Sequence, residues 1–189
     1  METSQSLLDR LADNPKDQDA WGRLDALYRP FIRSWALRDP ALQGDVDDLV
    51  QEVMVVLVRE LPHFQRRRPG SFRRWLREIL VHRIQVIWHA RKNRPHQADD
   101  SVLLTLADPH SALSRQWDEE HHRHVVQRLL ELIAQDFAPT TWQAFQRLVL
   151  DRAPTAQVAG ELGLSVNAVL LAKSRVLKRL RDEGRDFFA

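Results

Sequence analysis

Cysteine is absent from all 189 residues, which excludes disulfides, thiolate metal ligands and a cysteine nucleophile. Glycine is scarce, at six residues, and alternating β-branched runs are missing, so no segment reads as a strand. No apolar stretch approaches the roughly 18 residues that would suggest a membrane-spanning helix. The opening METSQSLLDRLADN lacks the basic-then-apolar pattern of a signal peptide, so a cytoplasmic protein without a membrane span is expected. The only tyrosine, Tyr28, falls on an apolar helical stripe, where it is a poor candidate for a nucleophile. No catalytic residue, enzymatic activity, cofactor or metal site is expected.

What is present is a segregated charge. The net formal charge is +2, yet residues 1–62 carry −5, residues 63–95 carry +9, residues 96–124 carry −4 and residues 125–189 carry +2. A block of +9 with a single acid is an electrostatic footprint for a polyanion, since a merely solvated basic face is usually diluted with glutamate.

Apolar residues recur at three- and four-residue spacing, which predicts an all-α protein. Trp21, Leu24, Leu27, Tyr28, Phe31, Ile32 and Trp35 line one face of a helix over residues 19–37. A second helix starts near Asp45 or Asp47, either of which can cap it, and runs to Pro62. A third follows the Pro69-Gly70 turn, with Ser71 as its cap, and extends to about Lys92. Residues 93–111, NRPHQADDSVLLTLADPHS, hold two prolines and three acids (Asp99, Asp100, Asp108) with no sustained period. They read as a flexible linker. The expected division is residues 1–93, a linker over 94–111, and a second small helical domain over 112–189.

Residues 155–181, TAQVAGELGLSVNAVLLAKSRVLKRLR, have the pattern of a helix-turn-helix. Val158, Ala159 and Leu162 face inward, Gly163 ends the first helix at positive φ, Leu164 plugs the gap and Ser165 caps the second helix. That helix turns Val169, Ala172, Val176 and Leu180 inward. Ser165, Asn167, Leu170, Leu171, Ser174, Arg175, Lys178 and Arg179 are the candidate contacts to DNA. From Lys173 to Arg181 there are five basic residues and no acid, suited to phosphates beside a major groove.

The segment DVDDLVQEVMVVL (45–57) gathers four acids within eight positions at the head of an apolar helix. Together with FRRWLREILVHRI (72–84) and the later helix-turn-helix, it resembles the bacterial RNA polymerase sigma factors of the sigma-70 family, extracytoplasmic-function (ECF) type. The resemblance spans roughly residues 17–183. It implies that Asp48, Gln51 and Glu52, at i, i+3 and i+4 on one helical face, dock on the basic clamp helices of the polymerase's largest subunit. It implies a segment at residues 65–92 that recognises and melts the promoter −10 element, through Arg66, Arg67, Arg68, Arg73, Arg74, Arg77, His82, Arg83 and Arg91. Phe72, Trp75 and Trp88 are interleaved with these cations, where exposed aromatics can stack on unpaired bases; the family's matching Trp-Leu pair packs inward, so Trp75 and Leu76 are expected in the core. It implies the helix-turn-helix as reader of the −35 element, the polymerase flap region as a second contact, a linker in a polymerase channel, and restraint by an anti-sigma factor or a kinase.

Two departures weaken the carry-over. His82 and Val86 stand where the family usually has Asn and often Asp, and Leu170-Leu171-Ala172 replaces a polar run in the recognition helix. Those leucines could meet thymine methyls or a partner protein. The rival function is a conventional regulator that binds operator DNA without joining polymerase. It leaves the acidic helix and the basic-aromatic helix without a role. The cluster DEEHHRHVV (118–126) places Glu120, His121 and His124 at helical spacing, a pattern more often adventitious than a dedicated metal site.

Overall fold

The structure, a computed structural model, describes residues 6–65, 70–90 and 102–188, apart from the side chains of Asp186 and Phe188. Among these residues every regular element is helical. Helix α1 (Leu7–Asp13) is capped by Ser6, whose hydroxyl oxygen accepts from the Asp9 amide at 3.2 Å. Helix α2 (Gln18–Ala36) is capped by Asp17, which accepts from the Ala20 amide at 3.0 Å. Such caps satisfy amides that no preceding turn can reach. Helix α3 (Val46–Glu60) begins at Asp45 without a side-chain cap bond and stops ahead of Pro62. Helix α4 (Ser71–Ala90) is followed, after residues 91–101, by a 3-10 segment (Val102–Ala107). Then come α5 (Ala112–Ile133), α6 (Pro139–Phe145) running on as one π turn (Gln146–Leu150), α7 (Thr155–Leu162) and α8 (Val166–Phe188). No single described helix is long and apolar enough to cross a membrane.

Helix α1 and the inward role of residues 102–107 are not evident from hydropathy alone. The 102–107 segment lies within the expected linker, yet it packs along α4 and buries Leu103 and Leu106 in the main core. Its apolar residues follow the three-residue repeat of a 3-10 turn, which is too short to register as a helical period. The linker residues 94–101, with Asp99 and Asp100, lie outside the described residues.

One core joins the two halves of the chain. It runs from Leu7 through α2, α3 and α4 and takes in Trp117, Val125 and Leu129 of α5 and Phe187 at the end of α8. A smaller cluster (Ala144, Val158, Ala159, Val169, Ala172) holds α6, α7 and the first half of α8 together. The contact between halves is aromatic. Phe31 meets Trp117 at 4.7 Å between ring centroids, Trp35 meets Trp117 at 5.0 Å, and Tyr28 meets Phe187 at 5.7 Å. Edge-to-face pairs of this kind add about 0.5–1.5 kcal/mol each beyond their burial.

His121 sits inside this cluster, fully buried, with Nε2 sharing a 3.1 Å hydrogen bond with the Tyr28 hydroxyl. Its Nδ1 has no partner among the described residues. Burial, reinforced by the nearby Arg73 guanidinium, pushes its pKa down to about 3. Burial likewise raises the Tyr28 phenol, so both groups are neutral at physiological pH. His124, whose Nε2 donates to the Leu27 carbonyl at 2.7 Å, is also lowered, again by burial first. Glu120 is held by Arg38 at 2.6 Å, which with Gln116 outweighs the opposing effect of burial and lowers its pKa. Glu120, His121 and His124 are thus committed to three different partners.

The folded pKa of His121 lies below its unfolded value near 6.5, so the unfolded chain binds more protons between pH 6.5 and about 3. Stability from this site is fully present above pH 6.5 and is lost as pH falls through that window. Urea unfolding at pH 7 and pH 5 is expected to differ by about 2 kcal/mol on account of His121. The variant His121→Leu should flatten that difference; an equal pH dependence in wild type and variant would show that this imidazole is not the source.

Candidate functional site

Three surfaces carry the candidate residues. On α3, Val46, Leu49, Val50, Val53, Met54 and Leu57 face the core, which by helical geometry turns Asp48, Gln51 and Glu52 outward; all three are exposed. Arg33 of α2 pairs with Asp47, and Arg29 pairs with Asp25 and reaches the Gln51 amide oxygen at 3.4 Å. Asp48 and Glu52 have no ion-pair partner among the described residues and point their charges at solvent. Next to them Val55 and Val58 are about half exposed, at 52% and 51%. With Trp21, Met54 and Arg59 they line a groove of about 590 Å³ between α2 and α3. Free carboxylates beside exposed valines make a surface for an element that is basic along one edge and apolar along the other.

On α4 the candidate cations divide. Arg74, Glu78, His82, Gln85, Val86 and His89 form one exposed stripe, with Arg74 paired to Glu78 at 2.9 Å. Arg73 and Arg77 face α5 instead, at 2.8 Å and 3.7 Å from the same Asp118 carboxylate oxygen, and Arg77 is buried. Arg83 is half-buried, and its Nε has no partner among the described residues. Phe72 and Trp88 are buried, at 1% and 6% exposure, so they are not available for stacking on bases in this arrangement. Their apolar neighbours, including Tyr28, Phe64 and Phe187 around Phe72, claim them for the core. Trp75 is half-buried and stacks on Phe64 at 4.7 Å, while Leu76 is fully buried. Arg66, Arg67, Arg68 and Arg91 lie outside the described residues.

In the C-terminal half, α7 and α8 meet at 102° across a three-residue turn. Gly163 ends α7 with φ of 63°, a conformation that costs other residues about 1–2 kcal/mol. A Cβ there would meet nothing within 4 Å, so the glycine is required by backbone conformation and not by close helix packing. The Leu164 amide returns to the Ala159 carbonyl at 2.9 Å and closes the turn. The Ser165 oxygen accepts from the Ala168 amide at 3.1 Å and so caps α8.

With Val169, Ala172 and Val176 buried, α8 presents Asn167, Leu170, Leu171, Ser174, Arg175 and Lys178 to solvent. Arg175 and Lys173 have no ion-pair partner among the described residues. Arg179 differs. It is bound to the buried Glu183 at 2.6 Å and to Asp136 at 3.0 Å, so its guanidinium braces α8 against the turn after α5 and is withdrawn from the outer face. Arg179 stands seven residues after the buried Ala172 and three after the buried Val176, so helical spacing itself puts it beside the inward stripe. A second groove, of about 970 Å³, runs between α5 and α6, with Val126, Leu130, Trp142 and Leu150 on its walls. Sequence reasoning did not find it, because its lining comes from helices separated by a turn and each contributes only part of an apolar stripe.

Among curated proteins, none matches the chain. Residues 24–100 match the family model for sigma-70 region 2. That span begins in α2 and contains α3, with its free carboxylates, and α4, with its cations. The α2–α4 unit of this chain is therefore similar to sigma-70 region 2.

Proposed function

We propose that the chain is a sigma factor of the extracytoplasmic-function type, which joins core RNA polymerase and directs it to promoters in the cytoplasm, with no catalytic step of its own. The observation that carries this reading is the outer face of α3. Within the span that matches sigma-70 region 2, Asp48, Gln51 and Glu52 are exposed beside the Val55–Val58 groove, with both carboxylates unpaired among the described residues. Such a face fits basic clamp helices of the polymerase's largest subunit. The α5–α6 groove, apolar and open, is suited to a helix of the flap region.

In this reading α4 serves the −10 element and the α7–α8 pair serves the −35 element as a helix-turn-helix. The 102° crossing and the unpaired Lys173 and Arg175 support the second role. For the first, His82 is exposed and Arg74 is exposed beside its partner Glu78, whereas Arg73 and Arg77 engage phosphates only after Asp118 lets go of them. Residues 1–93 and 112–189 would then act as separate DNA-reading units on the polymerase, joined by the segment between them. An anti-sigma factor or a kinase is the expected restraint.

The deciding experiment mixes the purified full chain with core polymerase and maps run-off transcripts over a fragmented genomic library. Co-purification with new, defined start sites is expected. Specific duplex binding without polymerase association would move the chain to the conventional regulators.

Four variants refine the test. Asp48→Arg is expected to abolish polymerase association while leaving the thermal midpoint unchanged, because the side chain is exposed; normal association would remove α3 from the interface. Arg175→Ala and Lys178→Ala should each weaken promoter capture and reduce the slope of log affinity against log salt by about 1, and an unchanged slope would exclude those phosphate contacts. Asp118→Asn should strengthen binding of the free chain to a single-stranded −10 oligonucleotide by about two- to fivefold, the range of a partly exposed ion pair. Unaltered affinity would mean that Arg73 and Arg77 do not meet the strand.

A further inference from the structure

The first two turns of α8 expose three aliphatic side chains where the arrangement with α7 puts the part of a recognition helix that meets base edges. Val166, Leu170 and Leu171 are 49%, 46% and 47% exposed. Leu170 and Leu171 flank Asn167 and Ser174 on the face opposite the buried Val169, Ala172 and Val176, and Val166, one turn before Leu170, lies at the edge of that face. They cannot donate to or accept from a base. The one apolar group that a base pair shows in the major groove is the thymine C5-methyl.

We infer that this face reads thymine methyls, with Leu170 and Leu171 as specificity-determining residues for a thymine-containing −35 element; the inference rests on the sigma-factor reading above. Charge supports DNA over a protein as the occupant. No acid stands between Glu161 and Asp182, and Lys173 and Arg175, immediately C-terminal to the leucines, are exposed without ion-pair partners among the described residues. A helix that carries an apolar tip and then unneutralised cations matches a groove with methyls on its floor and phosphates on its walls. Asn167 and Ser174, exposed on the same face, supply the polar contacts that fix register.

The test removes the methyl alone. On a promoter recovered from the run-off library, deoxyuridine replaces thymidine in the −35 element, one strand at a time, and binding by the full chain with core polymerase is measured. Each contacted methyl is expected to contribute about three- to fourfold in affinity, the transfer value of one buried carbon. Leu170→Ala and Leu171→Ala, both at exposed positions that leave the fold intact, should lower affinity for the thymine promoter and become indifferent to uracil. A −35 element without thymine overturns the inference, as does uracil substitution without effect. Variants that bind promoter normally but lose polymerase also overturn it, and assign the leucines to a protein contact. Should the chain not associate with polymerase, the sigma reading fails by itself, and the uracil comparison is made on the duplex that the free chain selects. A chain that selects no duplex overturns both.

Discussion

The architecture depends on the aromatic contact between α2 and α5. Phe31 and Trp35 on one helix meet Trp117 on the other, while Tyr28 holds His121 and touches Phe72 of α4 and Phe187 of α8. This joins four helices from distant parts of the chain through a few large, buried rings. The neutral imidazole is part of the arrangement, since a charged one could not remain in so apolar a place. Its Nδ1, unmatched among the described residues, is a cost that the surrounding burial offsets.

That contact determines which charges face solvent. Because α5 lies over α2 and α4, Asp118 comes within reach of Arg73 and Arg77, and Glu120 within reach of Arg38. Because α8 ends in the main core, Glu183 is buried and draws in Arg23 and Arg179. Acids of the C-terminal half therefore neutralise cations on the helix proposed for the −10 element. Among the described residues the carboxylates Asp48 and Glu52 escape such pairing, as does the stretch from Lys173 to Arg175. The surfaces left uncommitted by folding are those proposed for polymerase and for duplex DNA.

The α3 face and the α7–α8 pair were legible because each is encoded locally. Leu49, Val53 and Leu57 point one way by helical period, so Asp48 and Glu52 must point the other. Gly163 marks a turn by its φ, and Ser165 marks a cap. The aromatics of α4 were not legible in that way. Phe72 and Trp88 alternate with arginines in a pattern equally suited to stacking on bases or to packing, and neighbours far away in sequence, such as Tyr28 and Phe187, decide for packing.

By itself the sequence determined the helical class, the extents of α2 to α4, the acidic head of α3, the basic block of α4 and the turn before α8, because period, capping and charge are properties of neighbouring residues. The tertiary structure alone decided which cations are free. Arg73, Arg77 and Arg179 look like Arg175 along the chain, and what separates them is an acid, Asp118 or Asp136, brought close by packing between elements tens of residues apart. Coulomb attraction depends on distance in space, and spacing along the sequence does not encode that distance.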